Sequence, residues 1–187
     1  MKRITVLVIA TALLTTAMAW SQGSALKAPI AQKPALLTSV GQSADLEMVK
    51  VLLERGGIPH TMDAQVKAAG LAASDAKTLI LVVGGSLKGL GAAGVSADAE
   101  IERAQALIAE ARKRGMTIIG MHVGGEARRG ELSDKFIQAA IPACNYVVVV
   151  ADGDKDGFFG KLSGGKIPVD KVERISKAVE PLQKAFK

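Results

Sequence analysis

Aromatic residues are scarce: four Phe, one Tyr and one Trp in 187 residues. That argues against the stacked platforms on which proteins hold sugars, flavin rings or single-stranded nucleic acid. Cysteine occurs once, at Cys144, so neither an internal disulfide nor a thiolate metal cluster is available. Two histidines, His60 and His122, are too few for a multi-histidine metal centre. No metal and no cofactor is expected. There is no block of Lys or Arg: 24 basic residues are interspersed with 18 acidic ones. The net charge of +6 therefore lacks the concentrated patch that marks nucleic-acid binding. Beyond Trp20 no stretch is apolar for long enough to span a bilayer.

What is present is a hydrophobic fraction of 49%, enough for the core of one ordinary domain. The chain opens with Lys2 and Arg3, the apolar run Ile4 to Leu14, and small residues ending Ala17-Met18-Ala19. A basic start, a short apolar centre and an Ala-x-Ala site together read as a secretory signal peptide over residues 1–19. Cleavage is expected after Ala19, with Ala25 as the second choice. No Cys follows the apolar run, so a lipid anchor is excluded. The alternative is a retained anchor, for which the 17 residues from Ile4 to Trp20 are marginal. Cleavage leaves 22 basic against 18 acidic residues, a charge of +4, in the periplasm or medium. There Cys144, set between Ile141-Pro142-Ala143 and the run Tyr146 to Val150, reads as a small buried side chain.

Residues 20–34 lack an apolar period and read as a flexible tether; 35–187 read as a single domain. Strand and helix signals then alternate. Strands are expected at 36–40, 78–83, 117–122 and 146–150, with weaker ones at 58–62 and 167–169. Ser43 is placed to cap a helix with the stripe Leu46, Val49, Leu52 and Leu53, stopped by Gly56-Gly57. Residues 63–69 add a turn or two of helix. Further helices are expected over 97–114, capped by Ser96 or Asp98, over 132–140, and in short form over 158–162. Asp170-x-x-Glu173 reads as a capping box opening a last helix with the stripe Val172, Ile175, Val179 and Leu182. Such alternation implies right-handed βαβ units. The fold class is a three-layer α/β sandwich, a mostly parallel sheet of four to six strands with helices on both faces, flavodoxin-like or Rossmann-like.

Folds of this class bind ligands at the carboxyl ends of the strands, where strand order reverses. The loops there are Thr38 to Asp45, Gly84 to Gly94, Val123 to Glu131 and Ala151 to Gly157. Glycines and helix starts suit them to anions. The candidate binding residues are Ser39, Gln42, Ser43, Ser86, Lys88, Arg128 and Arg129. Alternatively the glycines only make tight turns, and the arginines pair with Glu126 and Glu131.

Three sharper motifs bear on chemistry. Gly89-x-Gly91-x-x-Gly94 has the spacing of a dinucleotide fingerprint, but five residues separate it from the strand and no acidic residue ends the next strand. Gly84-x-x-x-x-Gly89 is followed by Leu90 instead of the lysine of a phosphate-binding loop. Gly41-Gln42-Ser43 stands where SGNH-type esterases carry Gly-Asp-Ser, with Gln42 replacing the Asp and the late Asp-x-x-His missing. A serine hydrolase built on Ser43, His122 and Asp152, all at strand ends, is the enzymatic alternative.

The phrases Leu37 to Asp45, Leu79 to Gly94 and Met121 to Asp134 resemble those of a bacterial family of exported domains of unknown function. The resemblance covers about Pro34 to Phe186. It implies export and a compact α/β domain, and no activity. At the level of fold alone the chain is similar to one lobe of a periplasmic binding protein. The expected function is non-catalytic binding of a small polar or anionic ligand. Besides the hydrolase, a protein-interaction module serving a membrane-protein partner is the third reading.

Overall fold

A computed structural model describes residues 24–186. The expected leader, the first part of the expected tether and Lys187 lie outside the described residues. The strands are β1 (Ala35–Val40), β2 (His60–Met62), β3 (Thr78–Val83), β4 (Thr117–His122), β5 (Tyr146–Val150) and β6 (Val169–Val172). They form one sheet in the order β2-β1-β3-β4-β5-β6, parallel throughout. This is the flavodoxin-like order 2-1-3-4-5 with β6 added at the edge. The helices are α1 (Asp45–Arg55), α2 (Ala68–Ala72), α3 (Leu87–Ala93), α4 (Ala97–Lys113), α5 (Glu131–Ala140), α6 (Phe158–Ser163) and α7 (Val179–Ala185).

The strands read as near-continuous apolar runs because both faces are covered. In β3, Leu79, Leu81 and Val83 face the core under α2 to α6, while Ile80 and Val82 face the core under α1 and α7. Each fully buried leucine or isoleucine contributes about 1.5–3 kcal/mol. Right-handed crossovers put α1, which joins β1 to β2, on one face. Helices α3 and α4, which join β3 to β4, lie on the other. The β1 and β3 connections therefore diverge, and a crevice opens between them.

Several expectations are corrected. Ser24 to Pro34, much of it exposed, is tied to the domain at particular points. Ala31 is buried and bridges Phe186, and Ile30 and Ala31 both donate to the carbonyl of Ala185 at 2.9 and 2.8 Å. Asp170 opens no helix. It lies in β6 as a buried acceptor for the Tyr146 hydroxyl, the Ser24 hydroxyl at 2.8 Å and the Ala25 amide at 2.5 Å. The last helix begins only at Val179, after a 3-10 turn over Ile175–Ala178. The edge strand spans 169–172 instead of 167–169, and α2 starts at Ala68 instead of Asp63.

The glycine loop after β3 contains α3. Ser86 caps it by accepting from the Gly89 amide at 3.0 Å, and Gly94 ends it in the left-handed region at φ 68°. Gly89 and Gly91 are thus helical, which removes them from any dinucleotide fingerprint. Gly89 is needed because a Cβ there would collide with the carbonyl of Gln42.

Candidate functional site

The register aligns Val40 with Val83, so β1 and β3 end level with each other. Gly84 then donates to the Val40 carbonyl at 3.0 Å and Ser86 to the Gly41 carbonyl at 2.9 Å, stitching the two exits together. Gly41 sits at φ 104°, and a Cβ there would lie 2.5 Å from the Gly84 carbonyl oxygen. Gln42 follows at φ 57°, a left-handed conformation uncommon outside glycine. The contorted turn is held by a buried acid from a distant helix. Glu100 in α4 is 1% exposed. It accepts from the Gly41 amide at 3.0 Å and the Gln42 side-chain amide at 2.9 Å. Its charge is matched by Arg103, at 2.8 Å from Nε and 2.9 Å from Nη2. Arg103 also donates to the carbonyls of Ser39 and Val66.

Above this turn lies an open pocket of about 480 Å³ between the start of α1 and α3. Five candidate residues, Ser39, Gln42, Ser43, Ser86 and Lys88, line it. Its size is within the range of small-molecule sites, roughly 300–1,000 Å³, and its place at the β1/β3 switch point is where the fold class locates ligands. The Ser39 hydroxyl is buried and has no hydrogen-bond partner among the described residues. Ser43 is not the residue immediately before α1: Ala44 is. Its hydroxyl nevertheless accepts from the Asp45 amide at 3.2 Å.

Arg128 and Arg129 do not line this pocket. Arg129 is a structural clamp between α5 and the segment leading to α6. It holds Asp134 at 2.8 Å, Asp156 at 3.0 Å and the Gly153 carbonyl at 2.5 Å, and its guanidinium lies 4.6 Å from the Phe158 ring centre. These hydrogen bonds, with Asp134 first, raise its pKa, and the Arg129 contact draws Asp156 down to about 2. Arg128 reaches Asp45, Nε to Oδ1 at 3.5 Å. The expected pairing of these arginines with Glu126 and Glu131 does not occur either. Glu126 binds Lys155, whose hydrogen bond lowers the carboxyl pKa, and Glu131 pairs with Lys135.

The hydrolase constellation is not assembled. His122 is fully buried, with Nδ1 2.8 Å from the Val83 carbonyl and Nε2 3.2 Å from the Gly125 carbonyl. Both ring nitrogens face backbone carbonyls, to one of which a neutral ring donates, and no hydrogen bond joins His122 to Ser43 or to Asp152 among the described residues. Asp152 instead lies beside Gly125, where a Cβ would strike its carboxylate. Cys144 is buried as expected, and burial pushes its thiol up to about 12, far from a reactive thiolate. Among the described residues no group of three His, Cys, Asp or Glu side chains is placed to hold a metal, and no helix is long and apolar enough to cross a membrane.

Fold and site together define a parallel α/β domain with an open polar crevice at the switch point of its sheet. The chain belongs to the family described as a domain of unknown function, DUF6305, whose model matches residues 32–186. No curated protein matches it. Two solved structures, both mutants of the esterase AlinE4, are similar at 12% identity over 82% of this chain and 80% of theirs, with a TM-score of 0.32. A likeness that slight carries no argument about activity.

Proposed function

We propose that this is an exported, non-catalytic binding domain that takes a small polar ligand in the crevice between β1 and β3. The observation that carries the reading is the convergence of Ser39, Gln42, Ser43, Ser86 and Lys88 on one pocket. An anionic group would meet Lys88, because Arg129 is committed to Asp134 and Asp156. Export rests on the leader, and puts the ligand in the periplasm or medium. Binding without turnover is supported by the burial of His122 against two backbone carbonyls, with no hydrogen bond to Ser43 among the described residues.

The test is ligand-dependent thermal stabilisation across a panel of small polar metabolites, repeated with Ala92→Trp. Ala92 is exposed on α3 and lines the pocket, so the indole obstructs the crevice while the core is untouched. Stabilisation lost in a folded Ala92→Trp variant supports the reading. Binding at unchanged affinity in that variant, or stoichiometric labelling of Ser43 by a fluorophosphonate, overturns it.

A further inference from the structure

Resting on the binding reading above, we propose that the crevice selects zwitterions of the amino-acid type, with Lys88 meeting the carboxylate and Glu47 the ammonium group. Many of the charged side chains at this end of the sheet already have a counter-charge. Asp45 pairs with Arg128, Glu100 with Arg103, Arg129 with Asp134 and Asp156, and Glu126 with Lys155. The pocket lining contains two charged residues, Glu47 from α1 and Lys88 from α3. Both are exposed, and neither makes an ion pair among the described residues.

The two charges stand on opposite walls, since α1 and α3 flank the crevice on the two faces of the sheet. A simple anion gains Lys88 but meets the field of Glu47. It also approaches the first turn of α1, whose positive end is already occupied by Asp45 and Glu47. A simple cation meets the reverse conflict at Lys88. A molecule with both charges a few bonds apart satisfies both walls at once. Between the walls lie Ser43, Ser86 and the apolar residues Leu46, Ala92 and Ala93. That mixture suits a short side chain with some polar character.

The experiment is calorimetric titration of the protein with free L-amino acids, their N-acetyl derivatives, which lack the ammonium group, and their amides, which lack the carboxylate. At least one free amino acid should bind, and each derivative should bind about tenfold more weakly, the loss of one charge-assisted contact. Lys88→Gln should abolish the preference over the amide alone, and Glu47→Gln the preference over the N-acetyl form alone. Equal binding of the acid and both derivatives overturns the proposal, as does loss of both preferences in either variant. If no amino acid binds but a sugar or inorganic phosphate binds and is blocked by Ala92→Trp, the proposal falls and the binding reading stands. If nothing in any class binds at the crevice, both fall.

Discussion

Replacing Glu100 by Gln keeps the shape of the side chain and removes its charge. The Gln carbonyl still accepts from the Gly41 amide, but its NH2 group faces the donors of Arg103. Arg103 is only 11% exposed, so its guanidinium is left without a counter-charge in a place water barely reaches. Removing one partner of a buried pair costs about 3–5 kcal/mol. At about 2–4 °C per kcal/mol for a domain of this size, Glu100→Gln should lower Tm by about 6–20 °C. Arg103→Met should also destabilise, because Glu100 then stands buried and unpaired and the carbonyls of Ser39 and Val66 lose their donor. The double variant removes both charges, so it should be less damaged than the two single effects added, with a coupling of about 2 kcal/mol. Urea unfolding of the four proteins gives the cycle. Additivity within about 0.5 kcal/mol would show that Glu100 and Arg103 do not stabilise one another and would refute the buried-clamp account of the Gly41-Gln42 turn.

Arg129→Ala should destabilise by about 2–4 kcal/mol, mainly through the lost charged hydrogen bond to Gly153, with the partly exposed carboxylate pairs adding less. Asp156 has a folded pKa depressed from 3.8 to about 2. Its stabilisation is therefore present above about pH 4 and lost as pH falls toward 2. A pH series of melting points should show that decline in wild type and not in Arg129→Ala, and unchanged stability with weakened ligand binding would return Arg129 to the site. A chain starting at Leu26 lacks the Ser24 and Ala25 donors to Asp170 and should lose about 1–3 kcal/mol relative to one starting at Trp20; equal urea midpoints would refute that. Mass spectrometry of protein from the native host should find Trp20 first, whereas an intact Met1 in the membrane fraction would refute export.

The sheet was legible because its evidence is local. Thr78 to Val83 and Tyr146 to Val150 are short apolar runs rich in β-branched residues that suit a doubly covered strand. The pocket residues were legible for a related reason: once strand ends are known, the fold class says which loops meet. What stayed hidden is long-range pairing of charge. Glu100 lies 59 residues from the Gly41 it holds, and in the sequence it is one more acid in the first turn of a helix. The i,i+3 spacing of Glu100 and Arg103 is a weak hint of an ion pair and says nothing of burial. Arg129 misled for the opposite reason. An arginine in a glycine-rich loop after a strand has the look of an anion contact, and only the positions of Asp134, Asp156 and Phe158 show it to be a brace. Asp170-x-x-Glu173 has the composition of a helix start, but tertiary hydrogen bonds from Tyr146 and Ser24 draw Asp170 into the sheet. The α3 helix was obscured because Gly89 and Gly91 are poor helix formers; the close approach of the Gln42 carbonyl requires the first of them, while Gly91 stands in open space.

The seam between the first and last described segments fixes the order in which the fold is completed. Ser24 finds its acceptor 146 residues later, at Asp170, and Ala31 pairs with Phe186. On a ribosome, these partners appear only after all the other strands have been made. Until then Ser24 and Ala31 lack these partners, although Gln32 can already bond Thr78 and Ile30 can accept from Thr117. The outermost ties of the first described segment are therefore the last of the fold that can form during synthesis.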